Sequence, residues 1–221
     1  MLRWYFPPML NNKFARRLCE TGNRVKVPST LWRRLWHLVG GSFFPILAFF
    51  IQREGLLITI GVITGIFVAW EVARFVSSRI NRWSVSHLRM ILKREERFQP
   101  TGTTLLLLAS FFVFLLFDKY IAITASLFVA VGDPIAAIVG SRFGKHMLSE
   151  KTVEGSMACL ASCLIIGMLM TRVSSTLTLP TVAYGAICAT VTEMLPIPAD
   201  DNFTMPLSSA VVMALIAFYS V

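Results

Sequence analysis

Residues 132–156 read Gly-Asp-Pro-Ile-Ala-Ala-Ile-Val-Gly-Ser-Arg-Phe-Gly-Lys-His-Met-Leu-Ser-Glu-Lys-Thr-Val-Glu-Gly-Ser, and the reading of this stretch decides the class of the whole chain. About a dozen uncharged, mostly apolar residues precede it from Ile121 to Gly132, and a second apolar run follows from Ser156 to Thr171. Asp133 therefore stands inside a hydrophobic stretch, where a carboxylate costs about 2.5–3.5 kcal/mol at mid-bilayer on insertion scales. A residue that expensive is a functional candidate by default. Gly132, Ala136, Gly140 and Gly144 recur at every fourth position and lay a smooth stripe along one helix face, which another backbone or a ligand can approach closely. The stripe runs into Arg142, Lys145, His146 and Lys151, a basic cluster suited to phosphate.

Outward from this stretch the composition is that of an integral membrane protein. Of 221 residues 55% are hydrophobic and only 15% charged, and the mean hydropathy is +0.67. The formal charge of +9 lies in loops between apolar runs. That placement fits positive-inside topology and contact with anionic lipid headgroups, and argues against nucleic acid as a partner. Cys19, Cys159, Cys163 and Cys188 lack metal-ligand spacing, and Cys159 and Cys163 share one face of an apolar helix, as packing residues do. No signal peptide is expected, since Pro7 and Pro8 interrupt the early apolar patch.

Seven spans are expected: about Leu35 to Ile51, Gly55 to Val76, Thr101 to Phe117, Tyr120 to Ser141, Val153 to Thr171, Pro180 to Leu195 and Phe203 to Val221. Residues 1–34 form a basic cytoplasmic segment, and 35–221 a single membrane-embedded catalytic domain. Between the second and third spans, residues 77–100 place Ile80, Trp83, Leu88, Ile91 and Leu92 at helical spacing among six basic residues, the pattern of an amphipathic helix on the membrane surface. The N-terminus, the 77–100 segment and the 142–151 loop hold eight, six and three Lys/Arg, against Arg53, Lys119 and Arg172 in the opposite turns. The expected fold is thus all-α and polytopic, with its N-terminus in the cytoplasm and its C-terminus outside.

This topology gathers His37, Glu71, Arg74, Asp133, Glu154, Glu193 and Asp200 to Asn202 at the cytoplasmic ends of their helices, leaving the outer halves almost wholly apolar. A transporter distributes polar groups along a path through the membrane. A cluster open to one side suits an enzyme that meets a soluble substrate and a lipid there. Carboxylates without His or Cys partners favour a hard cation such as Mg²⁺, with Asp133, Glu154, Glu193, Asp200 and Asp201 as candidate ligands. Arg142, Lys145 and Lys151 would neutralise phosphates, so a nucleoside triphosphate is the expected soluble substrate. No P-loop is present, since Gly140 and Gly144 are one residue too close and His146 stands where Ser or Thr is needed. Glu71 and Arg74, three apart, share a helix face and read equally as a self-neutralising pair or as part of the site. His37 reads first as a headgroup or carbonyl partner.

These residues, taken in order, resemble the CTP-dependent lipid-alcohol kinases, which comprise dolichol and polyprenol kinases, phytol kinases and CTP-using diacylglycerol kinases. The resemblance runs from Arg33 to near the end of the chain. It rests on Arg33-Arg34 with His37, Glu71-x-x-Arg74, and Asp133-Pro-x-Ala136-Ala137-x-x-Gly140-x-x-x-Gly144-Lys145. Lys151-Thr152-x-Glu154-Gly155-Ser156 and Glu193 with Asp201-Asn202-x-Thr204-x-Pro206 complete it. The family usually has Arg-Lys where this chain has Arg33-Arg34, and Arg keeps the charge without the geometry. The eukaryotic dolichol kinases are longer, and the likeness is to their catalytic part. The resemblance implies CTP as phosphoryl donor. It assigns Asp133, Glu154 and Lys151 to catalysis and Asp133, Glu193 and Asp201 to the metal. Arg33, Arg34, Gly140, Arg142, Gly144, Lys145, Lys151 and Asn202 fall to the nucleotide. Which of Asp133 and Glu154 is the base stays open, as does the identity of the lipid alcohol. Membrane phosphatidate cytidylyltransferases share the opening motif, but their C-terminal Lys-Asp step and His-Gly-Gly segment are absent here. A small transporter or scaffold is the non-enzymatic alternative.

The orientation has a direct test. Asn202-Phe203-Thr204 is an N-glycosylation acceptor pattern placed by the topology on the cytoplasmic side, where it is out of reach of the glycosylation machinery. Expression in a glycosylating membrane system is expected to leave Asn202 unmodified. A glycan on it, read as an endoglycosidase-sensitive mass shift, would overturn the seven-span topology.

Overall fold

The computed structural model describes residues 29–87, 99–148, 151–195 and 200–219. Each apolar run of the sequence is a helix. In chain order these are α1 (Ser29–Phe50), α2 (Arg53–Val76), a short α3 (Ser78–His87), α4 (Gly102–Leu116), α5 (Lys119–Phe143), α6 (Val153–Thr171), α7 (Leu179–Met194) and α8 (Asp201–Tyr219). The polar residues between the runs set the boundaries. Thr101, Thr152 and Thr178 each stand in extended conformation at the N-cap and accept a hydrogen bond from the backbone N–H three residues on, and Asp118 accepts one from Tyr120 N. These caps satisfy donors that the first helical turn leaves free. Pro180, in the first turn of α7, costs no hydrogen bond there.

The helix that carries Asp133 is the hub of the bundle. Along α5 the residues from Ile121 to Ala130 are buried almost without a break, on every face rather than along one stripe. Its neighbours are α1, α4, α6, α7 and α8, while α2 stands outside and packs on α4. A helix apolar all round is stable only when it is enclosed in this way. On α2, by contrast, Leu56, Ile60 and Thr64 face inward, four apart, while Ile58, Val62 and Ile66 are about two-thirds exposed. Large apolar side chains standing outward along a whole helix require an apolar surrounding. By length and composition four helices (α2, α5, α6 and α8) suffice to cross a membrane, and α4 is a shorter apolar helix. The protein is a helical, polytopic membrane protein.

Two expectations need amendment. The loop after α5 is not wholly irregular, since Met147–Leu148 (β1) and Lys151–Thr152 (β2) pair antiparallel, with Met147 opposite Thr152 and Leu148 opposite Lys151. This small ribbon is an exception to the all-α expectation, and it fixes where Lys151 emerges. The small-residue stripe, for its part, is filled by protein. A Cβ added at Gly140 would come within 2.5 Å of Thr152 Oγ1, and one at Gly155 within 2.8 Å of the Ala136 carbonyl. A Cβ at Gly144 would meet the Gly140 carbonyl and Thr152. Two backbones thus touch where α5 meets the start of α6, and no room remains along the stripe for a lipid tail. Of the amphipathic 77–100 segment, α3 is helical with Trp83 exposed and stacked on His87; Leu88, Ile91 and Leu92 lie outside the described residues.

Candidate functional site

Contact between α5 and α6 at Ala136, Gly140 and Gly155 holds the ribbon against the end of the bundle, and Lys151 leaves β2 toward the neighbouring helix ends. Its Nζ donates to Glu193 Oε1 at 2.9 Å, near the C-terminus of α7, and to Asp201 Oδ2 at 2.8 Å, at the N-terminus of α8. Glu193 is almost fully buried, and its second carboxylate oxygen accepts from Ser156 Oγ at 3.0 Å. Burial pulls the Lys151 ammonium toward a lower pKa. The hydrogen bonds and charges of Asp201 and Glu193 outweigh that effect and hold it above the ordinary lysine value, so it stays charged at any neutral pH. Sequence reasoning assigned Lys151 to phosphate, whereas here it bridges two carboxylates from separate helices.

Asp133 faces this bridge from the hub helix. It lies in electrostatic range of Asp201 on one side and of Arg34 on the other. Among the described residues its carboxylate makes no side-chain hydrogen bond. Arg34, on α1, donates from Nη1 to Ser141 Oγ at 3.4 Å and sits within the field of Arg33 and Arg142. Its Nε is shut away from solvent and has no partner. Arg142 and Lys145 project into solvent from the end of α5 and the following turn. Asp200 caps α8, accepting from Asn202 N at 2.9 Å, and Asn202 is nearly buried in the first turn.

His37 meets its expected kind of partner, since its Nε2 lies 3.3 Å from the carbonyl of Val129. A carbonyl only accepts, so Nε2 carries the proton and the bond ties α1 to α5 one turn before Asp133. Glu154 turns away from the lysine bridge, its Oε1 lying 2.8 Å from His146 Nδ1 and both of its oxygens accepting from His146 N. Glu71 and Arg74 resolve to the structural alternative. The Arg74 guanidinium, fully buried, bonds Glu71 Oε2 and donates to the Gln99 carbonyl at 2.8 Å; Glu71 Oε1 accepts from Thr101 N at 2.8 Å and Thr104 Oγ1 at 3.2 Å. The pair fastens the end of α2 to the start of α4. Ser141 escaped the sequence reading, and Ser156 entered it only as the last residue of the Lys151-Thr152-x-Glu154-Gly155-Ser156 motif, with no role assigned.

The donor set is all oxygen, which suits a hard cation, and Glu193 and Asp201 already converge on one positive charge. Asp201, Glu193 and Asp133 are the residues that would hold Mg²⁺, although no group of three metal-type side chains stands ready-assembled among the described residues.

Two relatives bear on these positions. An uncharacterized protein of Rickettsia prowazekii (strain Madrid E) is 25% identical over 182 residues, covering 80% of this chain and 89% of that protein. A Glycine max protein named as a probable chloroplastic phytol kinase 1 is 32% identical over 127 residues, 51% of this chain and 42% of that protein. The chain thus spans less than half the length of the second relative. No family model matches, and neither does any solved structure. The likeness to lipid-alcohol kinases accordingly has a distant, partial relative behind it.

The buried pair on α2 gives a stability prediction. Glu71→Gln removes the charge that the buried Arg74 guanidinium bonds, and breaking one partner of such a pair costs about 3–5 kcal/mol. The midpoint of thermal unfolding in detergent is expected to fall well below that of the unaltered protein. An unchanged midpoint would show that the pair does not fasten α2 to α4.

Proposed function

We propose that this protein is a CTP-dependent kinase of membrane lipid alcohols, with seven spans and a site opening on the cytoplasmic face. The observation that carries the reading is the Lys151 bridge between Glu193 and Asp201, set beside Asp133 and the Arg33, Arg34 and Arg142 cluster at one end of the bundle. Supporting it are the likeness of half the chain to a probable phytol kinase and the motifs shared with the CTP-using lipid kinases. The Lys/Arg distribution supports the orientation, since the site then lies where the basic loops are.

In this reading Arg33, Arg34, Arg142 and Lys145 draw the triphosphate to the end of α5 by their charge. Glu193 and Asp201 would hold Mg²⁺, which would supply positive charge to the phosphate oxygens. Lys151, tethered at the same carboxylates, supplies a second positive charge to the oxygens on which charge develops. The lipid hydroxyl forms its bond to the γ-phosphorus while the bond to the β,γ-bridging oxygen breaks, and CDP leaves with that electron pair. Asp133 takes the hydroxyl proton, being the carboxylate without a hydrogen bond, whereas Glu154 is committed to His146.

Two measurements test this. Purified protein given Mg²⁺, phytol or a polyprenol, and CTP labelled at either the α or the γ phosphorus is expected to carry only the γ label into the lipid phase. An α label entering the lipid with phosphatidate as acceptor would make the chain a cytidylyltransferase, and movement of neither label across a panel of lipid alcohols would overturn the enzyme reading.

The second measurement concerns the carboxylate on the hub helix. Asp133→Asn keeps the shape and removes the charge, and kcat is expected to fall by about 10²–10⁴-fold, the contribution of a general base, with elution in detergent unchanged. Asp118→Asn is the control, because Asn caps a helix about as well as Asp and turnover should stay within roughly twofold. Near-normal turnover by the Asp133 variant would remove Asp133 from the mechanism.

A further inference from the structure

A cleft of about 250 Å³ opens between α1, α2 and α4, lined by Trp36, His37, Gly40, Phe67, Thr103 and Ser110 among largely apolar walls. Its floor is tightly made: Gly41 lies against Ala130 of the hub helix, where an added Cβ would stand 2.9 Å from the Ala130 Cβ. Its entrance is not, because a Cβ added at Gly40 meets nothing within 4 Å. The polarity is graded. His37 and Thr103 lie near the N-termini of α1 and α4, the ends that share a side of the bundle with the lysine bridge, and phenylalanines continue the lining from there. With Nε2–H given to the Val129 carbonyl, Nδ1 is the ring nitrogen left for a second hydrogen bond. Val129 and Asp133 are four residues apart on α5, so the carboxylate stands about 6 Å further along the axis.

We infer that this cleft seats the lipid alcohol itself, its hydroxyl at His37 beneath Asp133 and its single hydrocarbon chain along the Gly40 and Phe67 walls. The inference rests on the kinase reading and names its substrate class. With His37 and Thr103 toward one end and phenylalanines beyond, the cleft suits a hydroxyl carried on a hydrocarbon chain. The remainder of a longer chain passes out between α1 and α2 into the surrounding lipid.

Gly40→Leu adds a bulky side chain at the lining of the cleft, where a Cβ meets nothing within 4 Å, and Gly65→Leu is its control, since Gly65 is also open on α2 and lies outside the lining. The probe is hexadecanol carrying a mid-chain diazirine, photolysed with the full-length protein in detergent and mapped by mass spectrometry. Adducts are expected on the peptide containing Trp36 to Phe44, lost in Gly40→Leu and kept in Gly65→Leu. In the transfer assay Gly40→Leu is expected to raise KM for phytol at least about tenfold, the effect of excluding roughly two methylenes from burial, while KM for CTP stays unchanged.

Equal labelling in both variants would mark ordinary surrounding lipid and overturn the cleft as a site. Labelling together with crosslinked dimers, lost on dilution, would assign the cleft to a second copy of the chain and overturn it likewise. Specific labelling with an unchanged phytol KM would show a lipid site that is not the substrate's, which also overturns the inference. Specific labelling without phosphoryl transfer to any alcohol would instead sink the kinase reading and leave the cleft a site for single-chain lipid.

Discussion

The arrangement at the candidate site depends on how closely two backbones approach. Gly140 and Gly155 remove the side chains that would separate α5 from α6, and a methyl group at either position would collide with Thr152 or with the Ala136 carbonyl. Because the helices meet there, Thr152 caps α6 directly beside α5, and the residue before it, Lys151, is set at a fixed distance from the hub. Contact of this kind is what small residues offer in a membrane, where apolar side chains gain little from leaving one hydrocarbon phase for another.

From that contact the charges follow in sequence. Lys151 reaches α7 and α8 at once, so a single ammonium ties the ends of two helices that also meet through apolar side chains such as Met213 and through the Thr192–Ser208 hydroxyl pair. Asp133 and Arg34 extend a line of charge from α8 across the hub to α1, in which Asp201 and Asp133 are like-charged neighbours. Buried or half-buried charges are tolerable only when each has an opposite neighbour. The line meets that condition with Lys151 against Asp201 and Glu193, and Arg34 against Asp133. Among the described residues Asp133 is nonetheless left without a side-chain hydrogen bond, and the buried Arg34 Nε without an acceptor.

Much of this was legible in the sequence. The apolar runs and their flanking Thr, Asp and Pro residues foretold the helices, because caps and breakers act locally. A span was expected from about Leu35, after Arg33 and Arg34, and the helix that contains it is longer, Ser29–Phe50, since backbone hydrogen bonding continues through charged residues that a bilayer core would refuse. The chemical types at the site were readable too, but the partners of Lys151 were not. They lie 42 and 50 residues away, and spacing carries no information on whether a lysine faces a phosphate or a carboxylate. The stripe of small residues was read correctly as a surface for close approach, but the approaching body is α6 and not a ligand.

The fastening of Glu71 and Arg74 to Gln99, Thr101 and Thr104 has a bearing on how this architecture can vary. Arg74 donates to the Gln99 carbonyl and Thr101 N donates to Glu71, so the end of α2 is held against the start of α4. The two ends of the connection between them are thereby locked together independently of its length. The entropy of closing a loop grows only slowly with the number of residues in it. A change in the length of that connection therefore leaves the register of α2 and α4 to these hydrogen bonds, while the hub keeps its geometry.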